Sequence, residues 1–139
     1  MKKKVERNYL EINSLKEWNC SDINPENFHI ELVEPVNFQL NKFFYKSIGK
    51  KHNWVDRLTW SENQWIKYTS DTKVKTYILK NKDDLAGYFE LIIHTDKGEV
   101  EIAYLGLLEE FHNKKLGSYL LTLAIKNSFL EEPKRVWVH

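Results

Sequence analysis

Val100–Leu121 reads VEIAYLGLLEEFHNKKLGSYLL, and this stretch decides the fold. Val100 to Leu108 is an apolar run rich enough in β-branched and aromatic residues to form a strand. A polar, basic turn follows at His112–Lys115, and then a helix starts with Gly117 among its first residues. A helix start carries unpaired backbone N–H groups and a partial positive charge, so it attracts an anion without a dedicated side chain. Lys114 and Lys115 add positive charge, and Gly117 lets the main chain come close to a ligand. Strand, turn and helix in this order build a site for a phosphate-bearing ligand.

Upstream of this stretch, Asp96-Lys97-Gly98 is a tight turn, Ala86–His94 a strand, Asn81–Asp84 a turn and Thr76–Leu79 a short strand. Three strands joined by short turns form an antiparallel meander. Downstream, the helix from Leu116 to about Leu130 is apolar around most of its girth. Ser118, Thr122 and Lys126, four apart, mark a narrow wet stripe, so the helix packs broadly on the sheet. Arg135–His139 follows Pro133, alternates, and reads as a strand. Strand, helix, strand is a parallel crossover.

Earlier still, Phe28–Val33 reads as a strand stopped by Pro35. Leu40, Phe43, Phe44, Ser47 and Ile48 share one face of a helix that Gly49 terminates. Ser61-Glu62-Asn63-Gln64 has the form of a capping box, which starts a second helix at Trp65 and Ile66. Val5–Ile12 reads as a strand, and Leu15–Asn27 as a polar loop or short helix. The expected fold is a mixed, mostly antiparallel central sheet flanked by helices, of α/β or α+β class. It forms a single domain over residues 1–139, with a core at 28–139 and an N-terminal extension at 1–27.

With 139 residues, the chain suits one domain. A net charge of +1 gives no global electrostatic case for nucleic acid or an anionic membrane. Lys2, Lys3 and Lys4 are not followed by an apolar run, so no signal peptide is expected. No segment approaches the ~18–20 apolar residues of a membrane span. The single cysteine, Cys20, excludes an internal disulfide and suits a reducing compartment, so the expected location is the cytoplasm. His29, His52, His94, His112 and His139 lack zinc-type spacing, and no metal site is expected. Aromatic residues make up 14% of the chain, enough both to build a core and to wall a cleft.

The order of these elements, with that turn in place, resembles the GCN5-related N-acetyltransferase (GNAT) superfamily from about Phe28 to His139. In that family the turn carries Arg or Gln, two variable residues, Gly, a variable residue, then Gly or Ala. The matching residues here are His112, Asn113, Lys114, Lys115, Leu116 and Gly117. The last glycine fits; His112 stands for the usual Arg or Gln, and Lys115 for the first glycine. The stretches GYFEL (87–91), EVEIAYLGLL (99–108) and RVWVH (135–139), in that order, strengthen the likeness. A non-glycine residue at 115 is strained if that position needs φ > 0.

The resemblance implies an acyl-CoA N-acyltransferase-like fold lacking its last helix and closing strands, and acetyl-CoA as cosubstrate. The chain is then expected to be a truncated piece, a fold that another chain completes, or a degraded copy. Truncation leaves an exposed sheet edge at Arg135–His139, through which a homodimer could pair. The resemblance puts the cofactor pyrophosphate on the amides from Asn113 to Ser118, beside His112. It runs the pantetheine arm along the backbone of Leu105, Gly106 and Leu107, between two splayed strands. A glycine inside a strand, as at Gly106, fits a bulge or a close approach.

Acetyl transfer needs a neutral amine, and an alkylamine with a pKa near ~10 must first lose a proton to a base. Glu101 lies sixteen positions before Gly117, where histone-type members place their catalytic glutamate. Its neighbours Val100, Ile102 and Ala103 are apolar, and a carboxylate among apolar groups takes up a proton more readily. Without a bulge, Glu101, Ala103, Leu105 and Leu107 share a face. Glu90 is the second candidate base. Backbone N–H donors near Leu107 are placed to stabilise the thioester oxygen. Trp54, Asp56, Arg57 and Trp60 lie where the family shapes its acceptor site. The expected activity is acetyl transfer from acetyl-CoA to a primary amine, on a small molecule or a peptide, by direct attack in a ternary complex. The alternatives are a non-catalytic acyl-CoA-binding or regulatory module, and an interaction module working through its lysines.

Overall fold

A computed structural model describes residues 10–12 and 25–138. The elements are β1 (Leu10–Ile12), β2 (Phe28–Leu32), α1 (Phe38–His52), α2 (Glu62–Thr69), β3 (Val74–Asn81), β4 (Asp84–His94), β5 (Glu99–Leu107), a 3-10 turn (Glu109–Phe111), α3 (Lys114–Phe129) and β6 (Arg135–Val138). They form one six-stranded sheet in the order β1-β6-β5-β4-β3-β2. Every neighbouring pair is antiparallel except β5 and β6, the crossover expected around α3. The mixed, mostly antiparallel class read from the sequence is the one observed. The strand expected at Val5–Ile12 is described only at 10–12, and most of Leu15–Asn27, with Cys20, lies outside the described residues.

At the edge expected to be exposed, residues 136–138 are paired. Ile12, Glu11 and Leu10 pair antiparallel with Val136, Trp137 and Val138, so a segment assigned to the N-terminal extension belongs to the sheet. The outer strands among the described residues are β1 and β2.

Each face of the sheet carries its own core. On one, Leu120, Ala124 and Ile125 of α3 pack on Phe89, Leu91, Val100, Ile102 and Val136. Burying each large aliphatic side chain there contributes about 1.5–3 kcal/mol. Thr122, expected on the wet stripe of α3, is buried, because the sheet wraps more of the helix than its polarity pattern suggests. On the other face, Phe44 and Ile48 of α1 meet Ile78, Tyr88 and Leu108.

The inward face of α1 is Asn41, Phe44, Tyr45, Ile48 and Gly49. It is rotated from the apolar stripe read in sequence, which leaves Phe43 exposed, because Asn41 and Tyr45 are polar residues with buried partners. Gly49 does not end the helix. The left-handed cap is Asn53, and Gly49 instead makes room for Trp54, whose Cβ would lie 2.8 Å from an added Cβ. The capping box of α2 forms as read: the Ser61 amide donates to Gln64 Oε1 at 2.7 Å, and the Gln64 amide to Ser61 Oγ at 3.2 Å. Among the described residues no helix is long and apolar enough to cross a membrane.

Candidate active site

The site begins at a break in the β4–β5 ladder. Glu90 pairs with Tyr104 and Leu91 with Ile102, so Ala103 has no partner on β4. Such a bulge reverses the side-chain alternation. Leu105 and Leu107 therefore turn with Ile102 toward α3, whereas Glu101, Tyr104 and Gly106 face α1 and α2. The common face expected for Glu101, Leu105 and Leu107 does not exist. Among the described residues, β5 pairs with β6 as far as Ile102 and Val138. The Leu108 amide donates to Ala86 O at 2.8 Å. Backbone alternation then turns the N–H and C=O of Leu105 and Leu107 away from β4, toward the side where no described strand pairs with them.

Gly106 stands at a close approach, as read in sequence, here that of a helix. An added Cβ there would sit 2.6 Å from Ile48 Cγ2, so the glycine admits α1. Gly117 is the open position: a Cβ added to it meets no atom within 4 Å. At the start of α3, Asn113 is the N-cap; its Oδ1 accepts from the Lys115 amide at 2.8 Å, and its O from the Gly117 amide at 2.9 Å. The amides of Lys114 and Leu116 have no intrahelical acceptor at this end. Among the described residues the positive-φ non-glycine positions are Asn27, Asn53, Lys82 and Glu132, so Lys115 sits in the helix without the strain a lysine in place of glycine threatened. Asn113, Lys115, Ser118 and His112 are exposed around this corner, and Glu109 and Glu110 precede it.

On the α1/α2 face, Glu90 has no exposed surface. Arg57 Nη1 lies 3.0 and 3.1 Å from its two oxygens, and Asn41 Nδ2 donates to Oε2 at 3.1 Å and to Thr76 Oγ1 at 2.7 Å. Aromatic rings cage the guanidinium, closest at Tyr68 (4.1 Å), Tyr104 (4.3 Å) and Trp60 (4.7 Å). Burial works against the Arg57 charge, but the Glu90 carboxylate outweighs it and holds the guanidinium more firmly protonated than usual. The Arg57 amide donates to Tyr45 Oη at 2.9 Å, which ties the α1–α2 loop to the helix.

Glu101 lies on the same face, part-buried, with Oε1 3.0 Å from His94 Nε2. Of the residues read as acceptor contacts, Arg57 is turned inward to Glu90. Asp56 is exposed, and Trp54 and Trp60 are half-buried. Trp54 packs edge-on against Tyr104 with ring centroids 4.8 Å apart, and Trp60 packs on Trp65 at 4.9 Å. Sequence reasoning missed Asn41, Tyr45, Tyr68 and His94. A signal existed only for Asn41, a polar residue in register with Phe44, Tyr45 and Ile48 on a helix.

The Acetyltransferase (GNAT) family model matches residues 35–139, and the chain belongs to that family. Comparison with curated proteins gives no match. Among solved structures, an aminoglycoside acetyltransferase from an uncultured soil metagenomic sample, in complex with sisomicin, superposes with a TM-score of 0.66 at 10% identity. The match covers 81% of this chain and 77% of that one. A GCN5-related N-acetyltransferase from Kribbella flavida gives 0.65 at 12% identity, covering 94% of this chain and 46% of that one. A GNAT-family protein of Streptococcus pneumoniae gives 0.57 at 18% identity, covering 81% and 74%. At these identities the likeness is one of fold.

Proposed function

We propose that this protein transfers an acetyl group from acetyl-CoA to a primary amine by direct attack in a ternary complex. One observation carries the reading: past the bulge at Ala103, β5 leads through the 3-10 turn to the open start of α3 at Gly117. An extended pantetheine amide chain can pair with the main chain of Leu105 and Leu107 as an added strand. A diphosphate can approach the Lys114 and Leu116 amides past Gly117, where no Cβ intervenes. Asn113, Lys115, Ser118 and His112 border that corner, and Lys115 supplies positive charge.

In this reading the acceptor enters over the α1/α2 face, beside Trp54, Asp56 and Trp60. Glu101 takes the proton that the amine loses, as the new C–N bond forms and the C–S bond breaks, and solvent protonates the departing thiolate. Main-chain N–H groups near Leu107 meet the charge that develops on the thioester oxygen. Glu90 is the poorer base of the two, since Arg57 and Asn41 already occupy its oxygens. A cytoplasmic location fits the single cysteine and the intracellular supply of acetyl-CoA that the reading requires.

The test is calorimetry with acetyl-CoA, then thiol release over a panel of primary amines. Binding and amine-dependent thiol release are expected. Absence of binding by the folded protein rejects the proposal, and binding without thiol release to any amine leaves an acyl-CoA-binding module. Glu101→Gln should lower kcat by about 10²–10⁴-fold, the usual contribution of a general base, with acetyl-CoA affinity unchanged. Unaltered turnover would remove Glu101 from that role.

A further inference from the structure

We propose that His94 is a positioning residue for Glu101: its imidazole, with the proton on Nε2, holds the carboxylate in the orientation that meets the acceptor amine. The inference rests on Glu101 being the base. It starts from the order of residues along two paired strands. On the α1/α2 face, moving away from the bulge, Tyr104 lies opposite Glu90, then Glu101 opposite Ile92, then Glu99 opposite His94. Glu101 therefore stands between the bulge, where the thioester is brought in, and His94. The imidazole contacts the carboxylate from the side away from the reaction, with Nε2 3.0 Å from Oε1.

The ring itself is held. It stacks on Trp137 of β6 with centroids 6.2 Å apart and planes 12° from parallel. The Trp137 indole in turn donates from Nε1 to Glu99 Oε2 at 3.2 Å, and Arg135 Nη1 lies 3.8 Å from Glu99 Oε1. Three strands thus fix the imidazole plane, and the imidazole fixes one carboxylate oxygen. Both side chains keep a path to the surface, at 29% exposure for His94 and 14% for Glu101, unlike the sealed Glu90. A carboxylate that need only be charged and buried does not require a braced, part-exposed partner; one that must meet a substrate in a set orientation does.

A neutral ring donating from Nε2 suits this role. The proton on Nε2 orients the carboxylate without placing a full positive charge beside it, which would weaken it as a base. The arrangement uses the imidazole as an orienting donor, and the proton leaving the amine stays on Glu101 until product departs.

The experiment joins a spectroscopic and a kinetic readout on the full chain. Side-chain ¹⁵N NMR above neutral pH should show the His94 proton on Nε2, and Glu101→Ala should abolish that preference. His94→Phe keeps a ring for Trp137 but removes the donor. It should lower kcat about 10- to 100-fold with KM for acetyl-CoA unchanged, since misplacing a reacting group by about 1 Å costs up to about 10²-fold. His94→Gln restores an N–H donor and should recover most of that loss. A proton on Nδ1 in an active wild-type enzyme, or equal kcat in wild type, His94→Phe and His94→Gln, overturns the proposal. A wild type that binds acetyl-CoA yet acetylates no amine overturns it together with the proposed function, and an Nε2 proton in that protein locates the failure in the function rather than in the pairing.

Discussion

Glu90 and Glu101 look alike in sequence, each a carboxylate between apolar neighbours in a strand, and the bulge at Ala103 leaves both on the same face. Their partners separate them. Glu90 is sealed against a guanidinium that aromatic rings enclose, with side-chain exposures of 0% for Glu90 and 7% for Arg57. Removing one partner of such a pair strands the other charge in the interior, which costs about 3–5 kcal/mol. Arg57→Ala and Glu90→Ala should each destabilise the protein by that amount in urea denaturation. The double substitution Arg57→Leu with Glu90→Leu should cost less than the two single ones summed, because no charge is left unpaired. If the double cost equals the sum, the two residues act independently. Arg57 was legible in sequence only as a polar residue near tryptophans. Nothing local signals that its partner stands on a strand 33 residues away.

At the scale of the element, the same substitution should act with opposite sign in two helices. Gly117 lies in the first turn of α3, where an added Cβ meets nothing within 4 Å. Gly117→Ala should stabilise the protein by about 0.5–1 kcal/mol, the conformational entropy that a helical glycine forfeits. Gly117→Leu fills the same open space and should weaken acetyl-CoA binding in calorimetry while the fold persists. Gly49 lies in the last turns of α1, where an added Cβ falls 2.8 Å from the Trp54 Cβ, an atom bonded to the main chain that cannot swing aside. Gly49→Ala should therefore destabilise, by about 1–3 kcal/mol, the usual cost of overpacking. Thermal denaturation of both variants decides the matter, and a common sign would refute it. A glycine's reason is seldom visible in sequence: Gly49 reads as a helix end, yet it admits a neighbouring side chain.

For the whole molecule, the alternating strands, the capping box and the crossover around α3 were legible, because each is written in a local period or a turn residue. The bulge, the inward face of α1 and the pairing of β1 with β6 were not. The first depends on backbone register, the second on buried polar partners and the third on a contact between distant segments. The same polar interior sets how stability varies with pH. Burial pushes the Tyr104 phenol up to about 12 and also raises Tyr68 and Tyr88 well above the usual phenol range, with the nearby Glu90 charge adding to the rise in each. In the unfolded chain tyrosine ionises near pH ~10. Below that pH both states hold their phenol protons and these groups leave stability flat. Above it the unfolded chain sheds protons that the folded one keeps, so stability falls as pH rises from about 10 toward 12. Tyr88 tests this most cleanly, because its buried hydroxyl has no hydrogen-bond partner among the described residues. Tyr88→Phe should raise stability at neutral pH by about 1 kcal/mol, since it removes an unsatisfied polar group from a packed ring stack. It should also make the alkaline loss shallower by one phenol's share. Urea midpoints measured at neutral and alkaline pH read both effects. A variant that is less stable at neutral pH would show that the Tyr88 hydroxyl is bonded in the folded protein, and one that loses stability as steeply as the wild type on the alkaline side would show that folding does not raise the Tyr88 phenol.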